Sequence, residues 1–506
     1  MRRRASAVVL AALASGSLGA GSALADCPQV RPTDPGGYEG FAYGADPVES
    51  FATPEGRVRV WYTTAGAHAP HSSGSAAIAG KAVEEAIDAY AAMGFRPVIG
   101  DGDYPACASN GGDGRTDVYL VHFAGADGLA TTERCTTIGG AERCSGFILV
   151  ESRLDDLGYG TFEKGAQTVL PHEYFHLVQN AYDAGMDRFW AEGTAQWATK
   201  QLHPELTDLE RFLSGYLGST SRSIDAPPGG VVASFLYGTA IWPVFLSERH
   251  TPAIVRRILE QEAVKGATAL EATDTVLASL TPTPTSLAAE FTTFAAWNAA
   301  TGDRAGSFGY PLAASYPEVK TQALSAEVGD PIKGITSGLS AIYYLITAKE
   351  ARLVSIDTDP SRNAAVAVPI AGGVALLEKT TPLPALIEGD AVIVIAGQRS
   401  LKTDAPYALR VEVPPPPDPG PDPDPDPDPD PDPDPTPTPP IDKPVDESSG
   451  CSTSPWRGAP ASVVGWGWAA AASLAWAARR WRRQAAGGVQ GERRAPGAAP
   501  PAGRKE

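Results

Sequence analysis

The stretch Leu170-Pro171-His172-Glu173-Tyr174-Phe175-His176-Leu177-Val178-Gln179 holds two of the chain's 7 histidines, four positions apart. On an α-helix, positions i and i+4 share a face, so both imidazoles can point at one ion. This is the H-E-x-x-H spacing. It predicts a helix, one catalytic Zn²⁺ held by His172 and His176, and Glu173 turned to take a proton from an attacking water. A pair of core or surface histidines on an ordinary helix would share the spacing, so the surrounding sequence has to decide.

Working upstream, Arg57 to Tyr62 alternates like a half-buried strand, and Ala76 to Met93 carries helix formers with Gly94 placed as a stop. Further strands are expected around Pro97-Val98-Ile99, over Asp117 to Phe123 and over Phe147 to Val150. Downstream the pattern turns helical through Asp208–Leu217, Phe235–Arg249, Ala253–Lys265 and Leu287–Ala300. From about Ser315 to Val413 short apolar runs recur between turns (Ala341–Ile346, Arg352–Ile356, Ala391–Ile395, Tyr407–Val411), which suggests a β-sandwich of roughly 100 residues with no chemical motif of its own. The fold class is α+β.

The ends explain much of the composition of the 506 residues, whose 41 Lys+Arg and 59 Asp+Glu leave a net charge of −18. Met1-Arg2-Arg3-Arg4, the apolar run Ala5 to Leu24 and Ala23-Leu24-Ala25 read as a signal peptide, residues 1–25, that exports the chain by a Sec-type route. Asp26 before Cys27 argues against lipoprotein processing. Export permits disulfides among Cys27, Cys107, Cys135 and Cys144, with Cys135–Cys144 the expected local pair across Gly139-Gly140; Cys451 is left over. Residues 414–447 form a Pro/Asp-rich linker, read as an extended disordered stalk whose eight aspartates between Asp418 and Asp434 hold much of the negative charge. With no basic block in the central chain, nucleic acid is not an expected partner.

Beyond the stalk come Gly450-Cys451, the uncharged run Ala461–Ala478 and Arg479-Arg480-Trp481-Arg482-Arg483. Eighteen residues just span a bilayer as a transmembrane helix, with the arginines on the cytoplasmic side. The order of a Gly-Cys motif, a helix and an arginine cluster after a Pro-rich stalk resembles the myxobacterial-type C-terminal sorting tail (MYXO-CTERM). The resemblance covers residues 448–506. It implies a tail-processing sorting enzyme as partner, cleavage near Cys451 and a cell-surface or secreted product; a permanent membrane anchor through the 461–478 helix is the other reading.

The third metal ligand comes from a second resemblance. Phe189-Trp190-Ala191-Glu192-Gly193-Thr194-Ala195-Gln196-Trp197 is similar to the W-x-E-G-x-A-x-W/Y segment of the gluzincin metallopeptidases, in which a glutamate on the next helix completes the zinc site. By that resemblance Glu192 joins His172 and His176. Gln179 and Tyr182 stand where a metzincin has glycine and histidine, which excludes that branch. Two departures accompany the match: the interval to Glu192 is a few residues short, and Gln196 stands where some members place an acid. The P-H-E-[YF]-F-H-x-x-Q form, the Trp190 to Trp197 segment and Leu236-Tyr237-Gly238 together resemble a group of secreted metalloproteases over residues 40 to 300. This implies a zincin-like metalloprotease domain over 26–307, with a mixed sheet, an active-site helix and a helical lobe, then the all-β sandwich over 315–413.

The activity so implied is zinc-dependent hydrolysis of a protein or peptide substrate, with Glu173 as general base and Tyr237 as first candidate to stabilise the oxyanion; His203 is the second. The strand Phe147 to Val150 offers a place for an extended peptide to pair. A catalytically inactive zincin-like adhesion or display protein, and a zinc amidase acting on cell-wall peptide, are the alternatives. Asn110 to Asp117 puts two carboxylates four apart in a Gly-rich turn after Asp101 and Asp103, oxygens that could take Ca²⁺, although no complete EF-hand pattern accompanies them.

Overall fold

Val58 and Val60 turn inward while Arg59 and Trp61 stay half-exposed, the period-2 pattern of a strand with one buried face. The computed structural model describes residues 30–100, 111, 113–123, 125–138, 141–228, 233–264, 267–376, 380–398 and 404–416. The leader, Cys27, Asp101, Asp103, Cys107, residues 417–447 of the stalk and the sorting tail with its 461–478 helix lie outside the described residues. No helix among the described residues is long and apolar enough to cross a membrane.

In chain order the first part contains β1 (Val48–Ala52), β2 (Val58–Thr63), α1 (Ser75–Ala92), β3 (Thr116–Val121), β4 (Gly128–Ala130), β5 (Cys135–Ile138), β6 (Ala141–Cys144) and β7 (Ile148–Glu151). A helical stretch follows: α2 (Phe162–Asn180), α3 (Arg188–Leu202), α4 (Asp208–Leu217), α5 (Ala233–Gly238), α6 (Ile241–Arg249), α7 (Ala253–Glu262), α8 (Ala269–Ala278) and α9 (Leu287–Ala299). The chain then becomes all-β, with β8 (Gln322–Leu324), β9 (Ile332–Ser337), β10 (Ala341–Thr358), β11 (Asn363–Ala371), β12 (Val374–Ala375), β13 (Thr381–Pro382), β14 (Ala385–Gly397) and β15 (Asp404–Glu412). The molecule is mixed α+β.

The first sheet has the order β1-β2-β3-β7-β4, with β2, β3 and β7 parallel and β1 and β4 antiparallel at its edges. Alternate residues divide its two faces. Val118, Leu120, Ile148 and Val150 pack with α1 and α2 in the main core, while Tyr119, Val121, Phe147 and Leu149 face Tyr38, Phe41 and Tyr43 of the segment that precedes β1. That segment is anchored by the fully buried Arg31, which forks onto both oxygens of Glu133 at 2.8 and 2.9 Å and pairs with Asp117. Paired cationic and anionic groups are what allow an arginine so deep in the fold. The β5–β6 hairpin carries the Cys135–Cys144 disulfide, the expected local pair.

Several expectations are corrected. Pro97 to Ile99 forms no strand and keeps only an isolated bridge from Ile99 to Ser145; Pro97 has no N–H to give a ladder. The single helix expected over Phe235–Arg249 is two, α5 and α6, broken at Thr239, whose hydroxyl bonds Phe189 and Leu236 carbonyls instead of continuing the helix surface. The runs Ala341–Ile346 and Arg352–Ile356 are one strand, β10, with a register shift between Ala348 and Arg352. The eight strands β8 to β15 lie in one hydrogen-bonded sheet, through whose centre the long β10 and β14 run.

One face of that sheet has its own core, including Tyr344, Ile346, Ile393, Ile395 and Leu409. The opposite face, with Val366, Val368, Val392 and Val394, belongs to the same core as α9, α2 and α3. Ending the chain at Val319 would remove these strands and uncover the apolar surface of α9 that β11 and β14 cover, so such a chain is expected to lose cooperative thermal unfolding and to bind a hydrophobic dye. Cooperative melting without dye binding would contradict the shared core. A second prediction concerns Glu262, 2% exposed at the end of α7, whose carboxyl is pushed up to about 9 by burial and then by the charges of Asp187 and Asp183. The folded chain therefore keeps a proton that the unfolded chain releases above roughly pH 4–5, and stability falls as pH rises from there to about 9. Glu262→Gln should melt above the parent protein at pH 8, with the difference shrinking towards pH 5.

Candidate metal centre

Helix α2 starts from Thr161, whose side chain accepts from Lys164 N–H, and from Thr168 to Asn180 every residue is buried. A helix apolar on one stripe would leave its far side wet; this one is enclosed by the sheet and by α3, so its polar residues must find partners inside the protein. Pro171 interrupts its hydrogen bonding, and the Pro171 carbonyl accepts from Tyr90 Oη at 3.1 Å.

His172 and His176 stand one turn apart, and their Nε2 atoms are 3.1 Å from each other. Glu192, in the first turns of α3, brings Oε2 to 3.3 Å from His172 Nε2 and 3.6 Å from His176 Nε2. The three side chains are 6%, 4% and 1% exposed, and Glu192 Oε1 is buried with no hydrogen-bond partner. A tetrahedral ion with ligands at about 2.0–2.1 Å holds its ligand atoms about 3.3–3.4 Å apart, so the observed spacings fit one such ion. The three residues form a group able to hold a metal, the one such group of three among the described residues.

Burial works to lower the His176 imidazole, but its contacts with Glu192 overcome this and raise it to about 9. Burial likewise works to raise the Glu192 carboxyl, and the hydrogen bonds of His172 and His176 hold it down to about 2. Glu173 differs: burial pushes its carboxyl up despite the neighbouring histidines. Its Oε2 accepts from Ala130 N–H at 2.7 Å, which fastens it to the edge strand β4. Gly128 allows that approach, since a Cβ there would lie 2.8 Å from Glu173 Cγ and 2.7 Å from Val169 Cγ1.

Of the other candidates, Tyr237 is brought to the group. Its ring lies 5.5 Å from that of His172, edge to face, and 4.9 Å from Phe212. The close seating of α5 on α4 depends on Gly238, where a Cβ would sit 2.7 Å from the Phe212 carbonyl oxygen. His203 is not brought in: it caps the far end of α3, eleven residues or roughly 16 Å along the axis from Glu192, beside Glu205. Gln196 turns to Asp208, donating to Oδ2 at 2.9 Å.

The Gly-rich turn is not open for Ca²⁺ at its described carboxylates. Asp113 is held by Arg59 and Arg115, and Asp117 by Arg31 and Trp61 Nε1. The strand Phe147 to Val150 cannot pair a peptide either, since β7 has β3 on one side and β4 on the other. The edge belongs to β4, too short at three residues to show any periodicity in the sequence.

No family model matches the chain, and no curated protein matches it. Crystal structures of periplasmic inhibitors of g-type lysozyme from Salmonella Typhimurium and Aeromonas hydrophila are similar to part of it, at 14% and 19% identity, over 18% of this chain and 98% and 96% of theirs, with TM-scores of 0.14. A likeness that slight carries no argument about fold or function.

The geometry predicts one bound metal ion per chain, measured by equilibrium dialysis followed by metal analysis. Glu192→Ala and His176→Ala should each weaken binding by more than the ~10–100-fold that loss of a group merely supporting a ligand costs.

Proposed function

We propose that the protein is an exported, surface-associated zinc-dependent metalloendopeptidase. The observation that carries this reading is the convergence of His172, His176 and Glu192 in a buried site, with the carboxylate of Glu173 beside them. Zinc held by those three residues supplies a Lewis acid for the scissile carbonyl and makes water acidic near neutral pH.

The remaining work falls to the chain itself. Glu173, with its carboxyl raised by burial, accepts a proton from the attacking water and passes it to the leaving nitrogen. Ala130 N–H holds the Glu173 carboxylate at the edge of the sheet while this happens. Tyr237, against the His172 ring, is the side chain we assign to the oxyanion. A peptide substrate would pair with β4. Thr131 N–H bonds Phe147 O and Glu151 N–H bonds Asp127 O, so the odd-numbered positions face β7 and the even-numbered ones face away; with Ala130 N–H held by Glu173, the Gly128 backbone groups and the Ala130 carbonyl are what the edge offers a peptide. The leader and the Gly-Cys, helix and arginine tail would export the chain and present it to a membrane sorting enzyme.

The test is hydrolysis of casein or a labelled peptide by the zinc-loaded protein. Glu173→Gln is expected to retain zinc while kcat falls about 10²–10⁴-fold. Full zinc occupancy with no Glu173-dependent cleavage of protein or cell-wall peptide would instead favour a display protein.

A further inference from the structure

Gln179 takes no part in the proton chemistry above, yet it is buried beside the metal group and every polar atom of its amide is used. Its Oε1 lies 2.8 Å from His176 Nδ1, and its Nε2 lies 2.8 Å from both the Ala191 carbonyl oxygen and Thr194 Oγ1. The direction of this network is fixed by chemistry. A backbone carbonyl only accepts, so the amide NH₂ must face Ala191 and the amide oxygen must face His176. The Thr194 hydroxyl gives its one proton to the Trp190 carbonyl at 2.8 Å and accepts from Gln179. His176 Nδ1 must therefore be the donor to Gln179, which leaves Nε2, on the side of His172 Nε2 and Glu192 Oε2, as the nitrogen able to ligate a metal.

We propose that Gln179 is a positioning residue that selects the metal-binding tautomer of His176 and at the same time clamps α2 to the turn of α3 that carries Glu192. One amide thus couples two of the three ligands. The inference rests on the reading that the site holds zinc, and concerns affinity rather than hydrolysis. Residues beyond a ligand that orient it in this way are worth about 10–100-fold in metal affinity.

The test uses the full chain with zinc alone as probe, in competition with a chromophoric chelator. Gln179→Met, equal in length but without hydrogen bonds, should weaken zinc binding about 10–100-fold. Thr194→Val, which removes one amide contact and leaves the Ala191 and His176 contacts, should change it by less than about 3-fold. In the zinc-bound parent protein, long-range ¹H–¹⁵N spectra should show His176 protonated at Nδ1 and ligated through Nε2, and that pattern should be lost or mixed in Gln179→Met. A Gln179→Met protein that melts lower but binds zinc within 3-fold of the parent, with an unchanged His176 pattern, would overturn the proposal and leave a packing role. So would a parent protein that binds no zinc. Normal zinc effects without any hydrolysis would sink the peptidase reading and leave the clamp intact.

Discussion

Two imidazole nitrogens and a carboxylate oxygen converge within 3.6 Å of one another in a buried site. Left alone, such groups repel or must share protons, and burial makes either state costly. A cation between them reverses the balance, because all three then interact favourably with one charge. Much of the surrounding structure serves to bring these atoms together: a helix enclosed along most of its length, a loop short enough to start α3 beside it, and the Gln179 bridge between the two.

The same constraint accounts for the different states of the two glutamates. Glu192 meets both histidines at close range and stays ionised, whereas burial raises the Glu173 carboxyl despite the neighbouring histidines and the Ala130 N–H. Separation of two nearby carboxyls into a ligand and a proton carrier follows from where α2 and α3 aim them, not from their identity. The close approach of β4 at Gly128 completes this, since it puts the sheet edge and the proton carrier in one place.

Much of this site was legible in the sequence because its information is local. His172 and His176 are fixed by helical spacing, α4 begins and ends at the expected Asp208 and Leu217, and Cys135 pairs with Cys144 nine positions away. Glu192 and Tyr237 were reached through resemblance, and both lie at the group. What escaped depends on contacts distant in sequence. The three residues of β4 have no periodicity, the bond from Ala130 to Glu173 spans 43 positions, and Gln179 reads as one more polar residue until Ala191 and Thr194 are seen beside it. Short apolar runs likewise show strands but not whether long strands join them into one sheet.

The central claim is that these three side chains meet on one metal ion, and anomalous diffraction at the zinc edge addresses it without reference to activity. Crystals of the zinc-loaded protein should show a single strong peak about 2.0–2.2 Å from His172 Nε2, His176 Nε2 and a Glu192 carboxylate oxygen. A zinc peak elsewhere with this site empty, or no peak at saturating zinc, would contradict it.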